Sequence, residues 1–264
     1  MAIAWGKILV LGLLFWLWGL APSWAESLGD RLGRYPQWQD LPVLNAVQPG
    51  TDLIYPEWFT GTWQATSILL DQVAPLAPEV VTPGFAANEK LIGQPFSFRV
   101  KFQPQASFMV QPLTLPQAIA PQLPIVADRA FNGREIAQAY LGTEIVQRVE
   151  VDPQNPNRQL TILKGDRRLI STVTGRAQTA PKPDQFLSSE LTQQQFQNAE
   201  QVYLNRVETT TDYQRIAPDK ITANQVTAIY LSPNDPDFFK AQNKPVALYH
   251  YSLDLVKLAE SMQG

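Results

Sequence analysis

Alternation with period two is the feature that most restricts this chain. In "PFSFRVKFQ", Phe96, Phe98, Val100 and Phe102 fall on one side and Ser97, Arg99, Lys101 and Gln103 on the other. Successive side chains of a strand point to opposite faces, so this segment reads as a strand with one face buried and one in water. Antiparallel sheets and barrels are built from such strands, whereas parallel sheets need both faces covered.

The pattern recurs along the chain. "RQLTILKGDRRLISTVTGR" reads as a hairpin, because Gly165-Asp166 stands between two β-rich runs and glycine tolerates the positive φ of a two-residue turn. "EIVQRVEV" (Glu144 to Val151) alternates, and "DPQNPN" then makes a turn. "QVYLNRVETTTDYQR" sets Tyr203, Asn205, Val207, Thr209, Thr211 and Tyr213 on one face, opposite Arg206, Glu208, Asp212 and Gln214. "ITANQVTAIYL" and "PVALYHYSLDLVKL" complete the series. In the last, Ala247, Tyr249, Tyr251, Leu253 and Leu255 share a face, and His250, Ser252 and Asp254 the other. "SFMVQPL" is expected to pair back on the Phe96 strand through Gln103-Pro104-Gln105, and the run from Gln193 to Gln201 is rich in glutamine.

One helix interrupts the strands. In "FNGREIAQAYLG", Asn132 reads as an N-cap with Glu135 three residues on, a reciprocal capping box, and Ile136, Ala139 and Tyr140 make an apolar stripe. Gly142 supplies the stop. A helix of about ten residues should plug or flank a sheet rather than form a layer. With 22 prolines scattered along the chain, long helices are disfavoured. Roughly nine or ten strands point to one all-β antiparallel domain, closed into a barrel because closure removes exposed edges. The expected organisation is a leader over 1–25, an extended or loosely helical lead-in over 26–54 and a single barrel domain over 55–264.

The leader has a positive Lys7, an apolar run "ILVLGLLFWLWGLA" from Ile8 to Ala21, and small residues in "SWA" (Ser23 to Ala25) for cleavage. Its apolar run is short for a spanning helix, so it predicts export, with an uncleaved anchor as the alternative. There is no cysteine, which removes disulfides, thiol catalysis and thiolate metal sites. Lys and Arg number 21 against 24 Asp and Glu, so no basic excess exists to neutralise phosphates, and nucleic acid is not an expected partner.

The segment Phe59-Thr60-Gly61-Thr62-Trp63 resembles the first signature of the lipocalins, a Gly-X-Trp on the opening barrel strand. The resemblance implies that Trp63 packs across the closed end of a barrel and that Gly61 lets the incoming chain cross it. "TDY", Thr211 to Tyr213, resembles the second signature, which lies on a late turn, although here it sits inside an alternating run. No counterpart stands out for the third, a late arginine stacked over the Trp. Over a longer span, "YPEWFTGTWQATSIL", "VADRAFNGREIAQAYLG" and "VDPQNPNRQLTI" resemble a family of cyanobacterial and chloroplast proteins of the thylakoid lumen or periplasm. That likeness implies a calycin-like barrel and a compartment, and no activity or cofactor.

The candidate ligand-binding residues are Trp63, Phe96, Phe98, Phe102, Tyr203, Asn205, Tyr213, Tyr230, Tyr249 and Tyr251, expected to face one interior. Aromatics fill the cores of many sheet proteins, but tyrosine hydroxyls with Asn205, Thr209 and Thr211 need partners that a ligand or water could supply. His250, the single histidine, has Ser252 and Asp254 on its side of the strand, about 7 and 13 Å away, too far for a catalytic triad. In "DRAFNGRE", Arg129 and Arg134 at a helix start could hold an anion, or Asp128 and Arg129 could pair with a neighbouring loop. Nucleophile-elbow, phosphate-loop, dinucleotide and zinc-protease motifs are absent. The expectation is therefore an exported binding protein for a small apolar molecule, with no catalysis assigned. Its alternative is a filled structural module of a photosynthetic membrane complex. A third reading is an enzyme that uses carboxylates and tyrosines at the barrel mouth.

Overall fold

The computed structural model describes residues 28–38, 41–82, 84–105, 123–199 and 201–259. The leader and the strand expected in "SFMVQPL" lie outside the described residues. Eleven strands form one antiparallel sheet: β1 (Asn45–Ala46), β2 (Gly61–Val73), β3 (Pro95–Pro104), β4 (Ile125–Ala127), β5 (Val146–Asp152), β6 (Asn155–Leu163), β7 (Arg167–Lys182), β8 (Gln185–Gln197), β9 (Val202–Ala217), β10 (Lys220–Leu231) and β11 (Ala247–Lys257). Among the described residues three α-helices accompany them: α1 (Leu28–Gly33), α2 (Arg129–Leu141) and α3 (Phe238–Ala241).

In space the strands run β4-β3-β2-β11-β10-β9-β8-β7-β6-β5, with β1 attached to β7. From β5 to β11 each strand therefore neighbours the next in sequence. Pairing of β2 with β11 then joins the first long strand to the last. The sheet curls into a half-barrel. The strand ladder ends at β4 and β5, and α2 packs against β3 on one side and β5 and β6 on the other. A helix thus stands across the gap where closure by strands is expected from the sequence.

Local chemistry explains the main elements. The turn between β6 and β7 holds Gly165 at φ 78° and Asp166 at φ 53°, the positive values that tight hairpins require. Helix α2 starts a turn earlier than its sequence suggests. Asp128, not Asn132, is the N-cap, its side chain accepting from the Phe131 N–H at 3.1 Å. Asn132 instead accepts from the Lys101 N–H at 2.7 Å and donates to the Lys101 carbonyl at 3.2 Å, imitating a strand partner for β3. Glu135 accepts from Nε and Nη2 of Arg99, each at 2.9 Å, which lowers its pKa, so the capping box is replaced by two tethers to the sheet. Strand β8 takes in the first part of the glutamine-rich run, Gln193 to Gln197, to which the sequence assigns no element. Its apolar and hydroxyl half, Phe186 to Leu191, lies between β7 and β9.

The described part of the lead-in packs on the sheet. Helix α1 lies on β7, β8 and β9, and Leu32 and Trp38 pack with Val226, Ala228 and Leu248. These last three point away from the interior, so the outer face of this part of the sheet is roofed rather than wet. Arg31 donates to Glu208 Oε1 at 3.1 Å beneath that roof. The chain then pairs with β7 through β1 and turns inward at Asp52 and Leu53.

Candidate functional site

The segment from Tyr55 to Trp63 forms the floor of the half-barrel. Tyr55 bridges to Ile125, its N–H donating to that carbonyl at 2.8 Å, and residues Glu57–Phe59 make a short 3-10 turn. Phe59 and Trp63 are wholly buried, and the Trp63 indole donates to the Phe59 carbonyl at 2.6 Å. Tyr55, Phe102, Phe186 and Tyr213 surround Phe59 with ring centroids 4.8 to 5.8 Å away. This end is filled.

Gly61 sits at φ +113°, where a side chain is strained, and an added Cβ would come within 2.9 Å of Lys257 Cε. Lys257 is the register partner of Trp63 across β11 and β2, with its ammonium 5.5 Å from the indole ring. A late cation over the Trp is therefore present as a lysine, which a search for arginine passes over. "TDY" lies within β9 and not on a turn, so the second likeness fails. Its Tyr213 points inward and Asp212 outward, where both carboxylate oxygens accept from Gln185 at 3.0 Å.

Above the floor a cavity of about 280 Å³ remains between the inner face of the sheet and α2. Phe98, Phe102, Tyr213 and Tyr251 line it among the expected residues, together with Ile136 and Tyr140 from the helix. Phe96 stacks on Tyr140 at 4.7 Å and so borders it. At the wall, Thr211 donates to Gln225 at 3.2 Å, and Ser67 stands beside the Tyr140 hydroxyl. Burial pushes the Tyr213 hydroxyl up to about 12 and raises those of Tyr140 and Tyr251. These hydroxyls are neutral hydrogen-bonding groups at ordinary pH and supply no ready base.

Other expected residues stand elsewhere. Trp63 lies in the packed floor. Tyr249 borders a neighbouring cluster with Phe85, its hydroxyl accepting from Asn88 at 3.1 Å. Tyr203 contacts Phe196 near the other end of β9, and Asn205 is paired in register with Leu231, so neither lines the cavity. Tyr230 is on the outer face, donating to Glu208 Oε2 at 3.2 Å beneath the lead-in. The reason is parity: Ile229 takes the inward position opposite Val207, which sends Tyr230 outward with Val226 and Ala228. His250 also faces outward, beside Tyr35 and within 2.6 Å of Asn224, and burial lowers its pKa.

A partly buried charge cluster flanks the apolar floor. Arg129, at the start of α2, donates through Nε to Asp52 at 2.9 Å and through Nη2 to Glu190 Oε1 at 2.9 Å. Arg176 reaches the same Glu190 oxygen at 2.8 Å and Asn157 Oδ1 at 2.7 Å. Burial alone would raise Glu190, but the two guanidiniums hold it below the usual carboxylate range. Two cations and two carboxylates balance, so the cluster fastens the lead-in, α2 and the sheet together. The sequence reading anticipated an Asp128–Arg129 link to a loop. Only the loop contact of Arg129 to Asp52 goes that way, while Asp128 lies 3.5 Å from Lys101.

A family model described as Domain of unknown function (DUF6816) matches residues 48–259, and the chain belongs to that family. No curated protein and no solved structure matches it.

Proposed function

We propose that this member of the DUF6816 family holds a small apolar molecule, or the apolar end of a larger one, between its half-barrel and α2, and performs no chemistry on it. The observation that carries this reading is the 280 Å³ cavity, walled by Phe98, Phe102, Tyr251 and Ile136, with neutral hydroxyls at its edge. That volume falls just under the range of about 300–1,000 Å³ common for ligand pockets, which suits a ring or a short chain better than a whole lipid. The arrangement of Gly61, Trp63 and Lys257 supports a lipocalin-like reading of the floor. The leader supports export, to a periplasm or thylakoid lumen, where a pigment, quinone or lipid fragment is a fitting occupant.

A filled assembly module of a photosynthetic membrane complex is the second reading. It draws on the tight ring packing around Phe59 and Trp63. Native mass spectrometry separates the two. Protein from its own source should carry a displaceable apolar adduct, lost in Thr227→Phe, which fills the cavity wall. A clean apo mass, together with no rise in melting temperature on adding short fatty acids or benzoquinones, would leave the filled-module reading standing.

A further inference from the structure

The lead-in leaves a second cavity, of about 340 Å³, on the outer side of the sheet. Trp38, Leu41, Leu191 and Tyr230 give it an apolar and aromatic wall, and Arg206 and Lys244 stand at its margin. Glu208 also lines it but is engaged: Arg31 donates to one oxygen at 3.1 Å and the Tyr230 hydroxyl to the other at 3.2 Å. Arg31 matches its charge. The wall therefore holds three cations and one carboxylate, and among the described residues neither Arg206 nor Lys244 has an acidic partner.

Two buried donors in this wall lack acceptors. Arg206 reaches Asn243 Oδ1 only at 3.4 Å and lies 5.8 Å over the Tyr230 ring, while its buried Nε makes no hydrogen bond. Trp38 is 1% exposed, and its indole N–H stands beside the Tyr230 hydroxyl without reaching hydrogen-bond geometry. Both atoms are shut off from water, so this wall is rich in donors and short of acceptors, and the rest of the Arg206 guanidinium with the Lys244 ammonium is what an acceptor entering the cavity would meet. A guanidinium beside an aromatic face suits a carboxylate attached to a flat body, since it can pair bidentately while the rings take the apolar part.

We propose that this outer cavity binds a small monocarboxylate with an aromatic or branched apolar body, held by Arg206 and Lys244 against Trp38 and Tyr230. The site is separate from the inner cavity and does not depend on what that cavity holds. Benzoate titrated into the full chain by calorimetry should bind saturably, with benzyl alcohol at least tenfold weaker and inorganic phosphate not competing. One indole N–H resonance, identified by its absence in Trp38→Phe, should shift during the titration. Arg206→Gln should weaken benzoate at least tenfold and Lys244→Gln severalfold, while Thr227→Phe in the inner cavity changes nothing. Should Arg206→Gln melt early, Arg206→Lys, which keeps the charge and loses the planar fork, should still bind measurably less. Absence of saturation, equal binding by Arg206→Gln and Arg206→Lys to that of the parent, phosphate displacing benzoate, or loss of binding in Thr227→Phe would each overturn the assignment.

Discussion

Two glutamates, Glu208 buried and Glu190 largely so, set the acid–base behaviour of this protein in opposite directions. Glu190 is held below its ordinary value of 4.5 once Arg129 and Arg176 outweigh burial, so its stabilising contribution is present above that pH and is lost on acidification through the folded value. Glu208 is raised above 4.5 by burial, which Arg31 offsets only in part. Its contribution favours the fold below that pH and is lost as pH rises through the folded value. Glu190→Gln should therefore cost about 3 kcal/mol near neutrality, because it leaves two guanidiniums facing Asp52 alone, and should flatten the acid side of the stability curve. Glu208→Gln should cost less and remove a decline between acid and neutral pH. Urea midpoints from pH 4 to 8 read both; equal losses for the two variants would contradict the assignment. None of this is visible in the sequence, where Glu208 sits in an ordinary alternating run. Its cation is far away in the chain, separated by 177 residues.

At the scale of elements, α2 does what no additional strand does: it spans β3 and β5 and walls the inner cavity with Ile136 and Tyr140. Its amphipathic stripe was legible, but its start was not. Asn132 and Glu135 satisfy the capping pattern equally well as words, and only the approach of β3 decides that they bind Lys101 and Arg99 instead. Asn132→Ala removes two hydrogen bonds to the Lys101 backbone and should destabilise by about 1–3 kcal/mol, the cost of leaving those groups unpaired. Amide exchange on α2 and at Lys101 should speed up together. Glu135→Gln touches a pair whose arginine is half exposed, and should cost under about 1 kcal/mol. A larger loss from Glu135 than from Asn132 would mean the capping box forms after all.

For the molecule as a whole, the decisive feature is that the sheet has two buried faces over β8 to β11. The inner one carries Phe186, Ile221 and Leu255, the outer one Val226, Ala228 and Leu248 under Trp38 and Leu32. Deleting residues 28–44 would uncover that outer face, forfeiting about 1.5–3 kcal/mol for each large side chain exposed. The truncated chain is expected to melt well below the parent and to bind a hydrophobic dye. Unchanged melting would show the lead-in to be an ornament. No helix among the described residues is long and apolar enough to cross a membrane.

By itself the sequence determined most of the long strands, β8 excepted, because strict alternation is a local property that only a one-faced sheet can use, and it marked Gly61 and Trp63 as the floor. It also supplied most rings of the inner wall. Tertiary structure alone decided which tyrosines look inward, where the charges pair and how the barrel is completed. Parity holds along one strand but shifts at irregularities such as that beside Leu70, and Tyr230 goes outward by register with β9. Ion pairs such as Arg129 with Asp52 and Glu190 join positions 77 and 61 residues apart. Charge gives no periodicity to read, and such partners are chosen only when the folded chain brings them into one low-dielectric space.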